Sequence, residues 1–280
     1  MNKVLKSLLT TAVLVLTTSS HATLVNVAGV AWDTDQGAPL PDMTMDTFFY
    51  QWLVDGANAA SSTPNEILSM ATINPAGLGL GDTLQGMGEV NSLNGKTAAI
   101  NTVAGGDLCL TCELTYTFGG FAVDSLNGGP LGGPTFTNGW FNFYVDSTPD
   151  FTPTDAGFVN PANASDGQLW LSLQVTANAF LSSTIVQGTL AMELDAVAGL
   201  AKDYFDTNSM NGVLSGRLVD VISNPSFIFN NFLDLNGDST PDYYANANSQ
   251  FDGDTVAPVP APPTLLLFVF VLLAVSRLRK

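Results

Sequence analysis

The sequence predicts an all-β protein, a jelly-roll-like β-sandwich, and three observations carry that expectation. Large apolar residues recur at every second position through the second half of the chain, the spacing of a strand buried on one face. The runs are separated by turn formers such as Asn127-Gly128-Gly129-Pro130, Gly132-Gly133-Pro134, Asn138-Gly139 and Asp166-Gly167. Strands buried on one face need a second layer to cover them, and two facing sheets supply it.

Taken in order, the first half is the less regular. Thr44 to Ala60 places Phe48 and Trp52 four apart behind capping residues Thr44 and Asp46, and reads as a short helix. Leu78 to Asn94 is rich in Gly and polar residues and reads as a loop. From Glu113 onward the alternation is clear. Leu114, Tyr116 and Phe118 share one face, as do Phe141, Phe143 and Val145. Leu169, Leu171, Leu173 and Val175 alternate with Trp170, Ser172, Gln174 and Thr176, and Leu190, Met192 and Leu194 continue the pattern. Tyr243, Ala245 and Ala247 form a weaker set.

The two ends read differently from the body, giving three segments: 1–22, 23–256 and 257–280. Lys3 and Lys6 precede an apolar stretch from Leu8 to Leu16, and small residues at Ser20 and Ala22 flank a cut expected between Ala22 and Thr23. That is the layout of a secretory signal peptide, too short to span a bilayer. At the other end, Ala257 to Pro263 is proline-rich and Leu265 to Val275 uniformly apolar. The chain closes Ser276-Arg277-Leu278-Arg279-Lys280. At about 1.5 Å per residue the apolar run covers less than about 20 Å as a helix, against about 30 Å of hydrocarbon. The terminal cations would hold the segment with its bulk outside.

Val259-Pro260-Ala261-Pro262, the apolar run, and Arg277, Arg279 and Lys280 together resemble the PEP-CTERM sorting signal. The resemblance implies recognition by an exosortase-type membrane protease, inner-membrane insertion only during sorting, and delivery to the cell surface or extracellular matrix. Ala261 stands where a glutamate is usual, which leaves the processing enzyme open. Removal near the hinge and retention as a short anchor are both compatible with the segment. Two internal strings, Cys109 to Gly120 (CLTCELTYTFGG) and Leu194 to Asn208 (LDAVAGLAKDYFDTN), resemble the PEP-CTERM proteins associated with flocculation. That implies a part in the aggregation of exopolysaccharide-coated cells, with no catalytic residues to carry over.

Charge and composition narrow the function classes. All 25 acidic residues lie in the body, against only Lys96, Lys202 and Arg217. Such a field repels nucleic acid and attracts cations, divalent ones above all. His21, the single histidine, falls in the expected leader, so the body lacks Ser-His and Cys-His machinery and His-ligated metal sites. Paired carboxylates could still hydrolyse glycosides, but carboxylates are too common here for a pair to mean much. A non-enzymatic role is the expectation.

Three features remain as candidate sites. Cys109 and Cys112 are the only cysteines, and in an exported chain a disulfide is the default. Fully extended, their Cα atoms would be about 10 Å apart, so a bond requires a tight turn before the Glu113 strand. A redox pair is the alternative, disfavoured because the motif opens a strand. In Asp234 to Asp242, the side chains of Asp234, Asn236, Asp238 and Asp242, with the Thr240 carbonyl, could wrap a calcium ion. A solvated acidic turn explains the same residues. Trp140 and Trp170 are the aromatics expected to be exposed for an exopolysaccharide or another matrix component.

Overall fold

The computed structural model describes residues 24–34, 42–56, 78–98, 106–129, 133–152, 161–181, 187–229 and 244–256. The signal-peptide and sorting-signal readings, including Ala22, Thr23, Val259 to Pro262, Arg277, Arg279 and Lys280, lie outside them, as does the Asp234 to Asp242 loop. Among the described residues, no helix is long and apolar enough to cross a membrane.

The all-β expectation holds. The strands are β1 (Leu24–Val27), β2 (Val30–Asp33), β3 (Met43–Val54), β4 (Thr83–Leu93), β5 (Lys96–Thr97), β6 (Glu113–Ser125) and β7 (Thr135–Phe136). They continue with β8 (Trp140–Asp146), β9 (Gln168–Phe180), β10 (Gln187–Ala198), β11 (Met210–Asn211) and β12 (Leu218–Val219). The last are β13 (Val221–Ser223), β14 (Ser226–Phe229) and β15 (Tyr244–Gly253). A 3-10 turn (Pro161–Ala164) and one short helix, α1 (Lys202–Phe205), accompany them.

The layering differs from a jelly-roll sandwich. In chain order β3, β4, β6, β8, β9 and β10 each pair antiparallel with the next. β13 and β14 share the following position between β10 and β15, and β15 pairs back onto β3 along ten residues. The result is one ladder closed on itself, an up-and-down barrel with neighbours in space following neighbours in sequence. Closure covers the apolar faces without a second sheet and leaves no long open edge.

Two local expectations are corrected. Thr44 to Ala60 is not helical where described: Met43–Val54 is β3, with Met45, Phe49 and Leu53 turned into the barrel. Phe48, Tyr50, Trp52 and Val54 form its other face, packed with Met87, Phe151 and Ala164. A strand apolar on both faces hides its period of two, and residues four apart share a face in a strand as they do in a helix. The Gly-rich stretch within Leu78 to Asn94 is β4, where glycine serves packing. A Cβ at Gly86 would lie 2.5 Å from the Phe118 ring, and one at Gly88 2.7 Å from the Tyr116 ring. Gly86 and Gly88 sit directly opposite Phe118 and Tyr116 in the ladder, so the rings lie across the glycine backbone.

The barrel is filled by aromatic rings. Tyr116 and Phe143 lie with centroids 5.0 Å apart, Phe118 and Phe141 5.2 Å, and Phe141 and Phe251 5.3 Å. The hairpin β1–β2 packs outside this ring stack. Its Trp32 meets Trp170 at 5.5 Å and Phe205 of α1 at 5.7 Å, and the Trp170 indole donates to the Val27 carbonyl at 3.2 Å. Trp170 is fully buried, which corrects its expected exposure.

Candidate functional site

Among the described residues, a gathering of chemically active groups lies on the outside of the barrel, where β6 starts and β8 ends. Glu113 and Asp146 stand opposite each other in the ladder, and the chain turns after β8 to bring Asp150 beside them. Carboxylate oxygens of Glu113, Asp146 and Asp150 all lie within 4.8 Å of one another. Glu113 is buried, and accepts hydrogen bonds from the backbone N–H groups of Asp150 and Phe151, each at 3.2 Å. Burial pushes the Glu113 carboxyl up to about 7, and the Asp146 and Asp150 charges add to the rise against the pull of the two N–H donors. Asp166, mostly exposed, is also raised, by burial first and then by Asp150 and Asp146.

Chemically, this cluster is relieved by taking up a proton or a cation, since three like charges at such distances repel. A carboxylic acid titrating near 7 beside two carboxylates also has the components of glycoside hydrolysis. The geometry argues against that use. Glu113 is only 4 % exposed, and its oxygens hold the Asp150–Phe151 backbone. Phe151 in turn is fully buried in the outer cluster with Trp52 and Met87. Glu113 is thus a tether for the segment that follows β8.

The same device recurs elsewhere in this chain. Asp82 accepts from Gly56 and Gly79, and Glu193 from Leu214 and Ser215. Asp220 accepts from Ala196, Thr207 and Asn208. Each satisfies loop N–H groups that would otherwise be orphaned near the barrel.

Cys109 and Cys112 are disulfide-bonded, with Cα atoms 5.3 Å apart, immediately before β6. Cys109 also forms an isolated bridge to Val30, and the Ala31 N–H donates to the Leu108 carbonyl, so the turn is stitched to the β1–β2 hairpin. The three body cations are all engaged: Lys96 with Asp107 at 3.1 Å, Arg217 with Asp195 at 2.7 Å, and Lys202 with Asp206. The remaining acidic surface has no basic side chain left to balance it.

Inside the barrel, a cavity of about 20 Å³ remains among Phe49, Phe118, Phe141, Phe227 and Phe251, room for a water rather than a ligand. Gln51 and Ser249 are among the polar residues that reach it. Trp140, unlike Trp170, is partly exposed on the barrel's outer face.

The fold and its sites thus define an acidic up-and-down β-barrel with loops tethered by buried carboxylates. No family model, curated protein or solved structure matches the chain.

Proposed function

We propose that this chain is an exported cell-surface or extracellular-matrix protein, sorted by an exosortase-type system, with a structural and adhesive role in aggregation or biofilm. Residues 1–22 act as the signal peptide, and 257–280 as a sorting segment whose short apolar helix sits in the inner membrane during sorting. The body works without catalysis.

The observation that carries the adhesive reading is the uncompensated acidity. With Lys96, Lys202 and Arg217 each already paired, two such bodies repel unless cations intervene. Divalent cations, calcium in particular, are the natural bridge. Among the described residues the Glu113–Asp146–Asp150 cluster is a place where a cation would relieve repulsion, and Asp234, Asn236, Asp238, Thr240 and Asp242 are the candidate calcium ligands in the sequence. The test is settling of a deletion strain complemented with either the full chain or a chain ending before Pro258. Dispersal on deletion, reversed only by the full chain, is the expected result. Unchanged settling on deletion would refute the adhesive role.

A second reading, an exopolysaccharide-binding module, is favoured by Trp140, an indole partly exposed on the outer face of the barrel.

A further inference from the structure

On the outer face of β6, β8 and β9 the acidic character of the body gives way to an uncharged surface. Three rows cross these strands in register. Gly119, Trp140 and Gln174 form one, Thr117, Asn142 and Ser172 the next, and Thr115, Tyr144 and Leu169 the third, in which Thr115 is buried and donates to the Ala164 carbonyl. None of these residues is an Asp, Glu, Lys, Arg or His. Carboxylates border them: Asp146 on β8, Glu113 and Glu89 beside Thr115 and both buried, and Asp195, which sits opposite Gln174 and is already paired with Arg217.

Trp140 rests against the β6 glycines along the edge of its indole that carries Nε1. A Cβ at Gly119 would lie 3.2 Å from Cζ2 of the indole, and one at Gly120 would lie 3.1 Å from Cδ1. The ring therefore spans the two glycines, its six-membered edge over one and its five-membered edge over the other. A side chain at either position would require the ring to give by a few tenths of an ångström. Gly120 has φ +79°, a conformation that favours glycine, so the local backbone is built for this close approach. A side chain ordered before binding loses little entropy when a ligand stacks on it.

The polar groups around the ring are arranged and partly unspent. Ser172 donates to Asn142 Oδ1 at 2.7 Å, fixing that amide, and its Nδ2 has no acceptor among the described residues. Gln174 Nε2 donates to the Gly139 carbonyl at 2.8 Å, and its Oε1 has no donor among the described residues. An oriented donor and an oriented acceptor thus stand next to Trp140 in the sheet, one two residues along β8 and one across on β9. Tyr144, four residues along β8, lies about 13 Å from Trp140 at strand spacing, a distance that an oligosaccharide spans and a monosaccharide does not.

We propose that this face is a binding site for an uncharged polysaccharide, with a pyranose ring stacked on Trp140 and its hydroxyls bonded to Asn142 Nδ2 and Gln174 Oε1. Apolar ring faces with a hydroxyl rim match an aromatic platform edged by amides. Anionic glycans are disfavoured by the acidic field around the patch. The site gives the exopolysaccharide reading a location and a chemical class, and rests on that reading for the source of the glycan.

The test is affinity electrophoresis of the full chain in a mild neutral detergent, in native gels cast with dextran, hydroxyethyl cellulose or alginate. Retardation by at least one uncharged glycan and none by alginate is expected, with Trp140→Ala weakening it at least tenfold and Asn142→Ala or Gln174→Ala severalfold. The last two leave the indole and its glycine bed in place, so they decide the matter if Trp140→Ala fails to fold. Free migration in both uncharged gels, undiminished retardation of the variants, or preference for alginate would each overturn the proposal. Retardation of the purified chain with unchanged settling of a deletion strain would leave this site standing and remove the adhesive role. Altered settling with free migration would do the reverse.

Discussion

Glu113 and Glu193 do the same job in two parts of the barrel and sit on opposite sides of their ordinary titration range. Both are buried, 4 % and 3 % exposed, and each accepts two backbone N–H groups from a neighbouring loop. Burial raises both. At Glu193 it is outweighed by hydrogen bonds from the Ser215 hydroxyl and the Leu214 and Ser215 backbone, with help from Arg217, so the carboxyl is lowered. At Glu113 the neighbouring charges are Asp146 and Asp150, and the carboxyl rises to about 7. The difference shows that a carboxylate tether is strengthened or strained by what surrounds its two backbone bonds, an added hydroxyl donor and a cation at Glu193 and two further carboxylates at Glu113.

The largest effect is expected at Glu193. Replacing it with Ala leaves the N–H groups of Leu214 and Ser215 without their acceptor and should cost about 3 kcal/mol, read by urea denaturation. Glu113→Gln should act in the opposite direction above neutral pH. An amide keeps an acceptor for the Phe151 N–H and removes the repulsion from Asp146 and Asp150. The variant should therefore melt a few degrees higher than the parent at pH 8 and no higher at pH 5.

The parent's own pH profile follows from linkage. The Glu113 carboxyl titrates at 4.5 in the unfolded chain and at about 7 in the fold, so between those values the folded state holds the extra proton. Its contribution is fully present below 4.5 and is lost as pH rises through about 7. Melting temperature should fall across that window, and Glu113→Gln should flatten the fall. Millimolar calcium at pH 8 should raise the parent's melting temperature by more than it raises that of Glu113→Gln, because a cation at the cluster substitutes for the proton. The smallest effect belongs to Arg217→Ala, about 0.5 kcal/mol or less in a denaturation midpoint, since its pair with Asp195 is half exposed.

Much of the strand content was legible, because β6, β8, β9 and β10 carry mostly polar residues on the face turned away from the barrel interior and keep a visible period of two. β3 was illegible for the opposite reason: both faces are apolar, the inner set around Phe49 and the outer around Trp52. β4 was obscured by Gly86 and Gly88, whose purpose shows only once Phe118 and Tyr116 are laid across them. Closure into a barrel rests on the pairing of β15 with β3, the most distant strands of the ladder in sequence, which no local pattern announces. The carboxylate cluster was hidden similarly, since Glu113 meets Asp146 through the β6–β8 register. Trp170 and Trp140 look alike as outward positions on strands, and only the β1–β2 hairpin and α1 bury the first.

The adhesive role is tested most directly by the settling rate of parent and deletion cells with and without a calcium chelator. The proposal predicts fast settling of parent cells that the chelator abolishes, and slow settling of deletion cells that the chelator does not change. Equal settling of the two strains in calcium would contradict it.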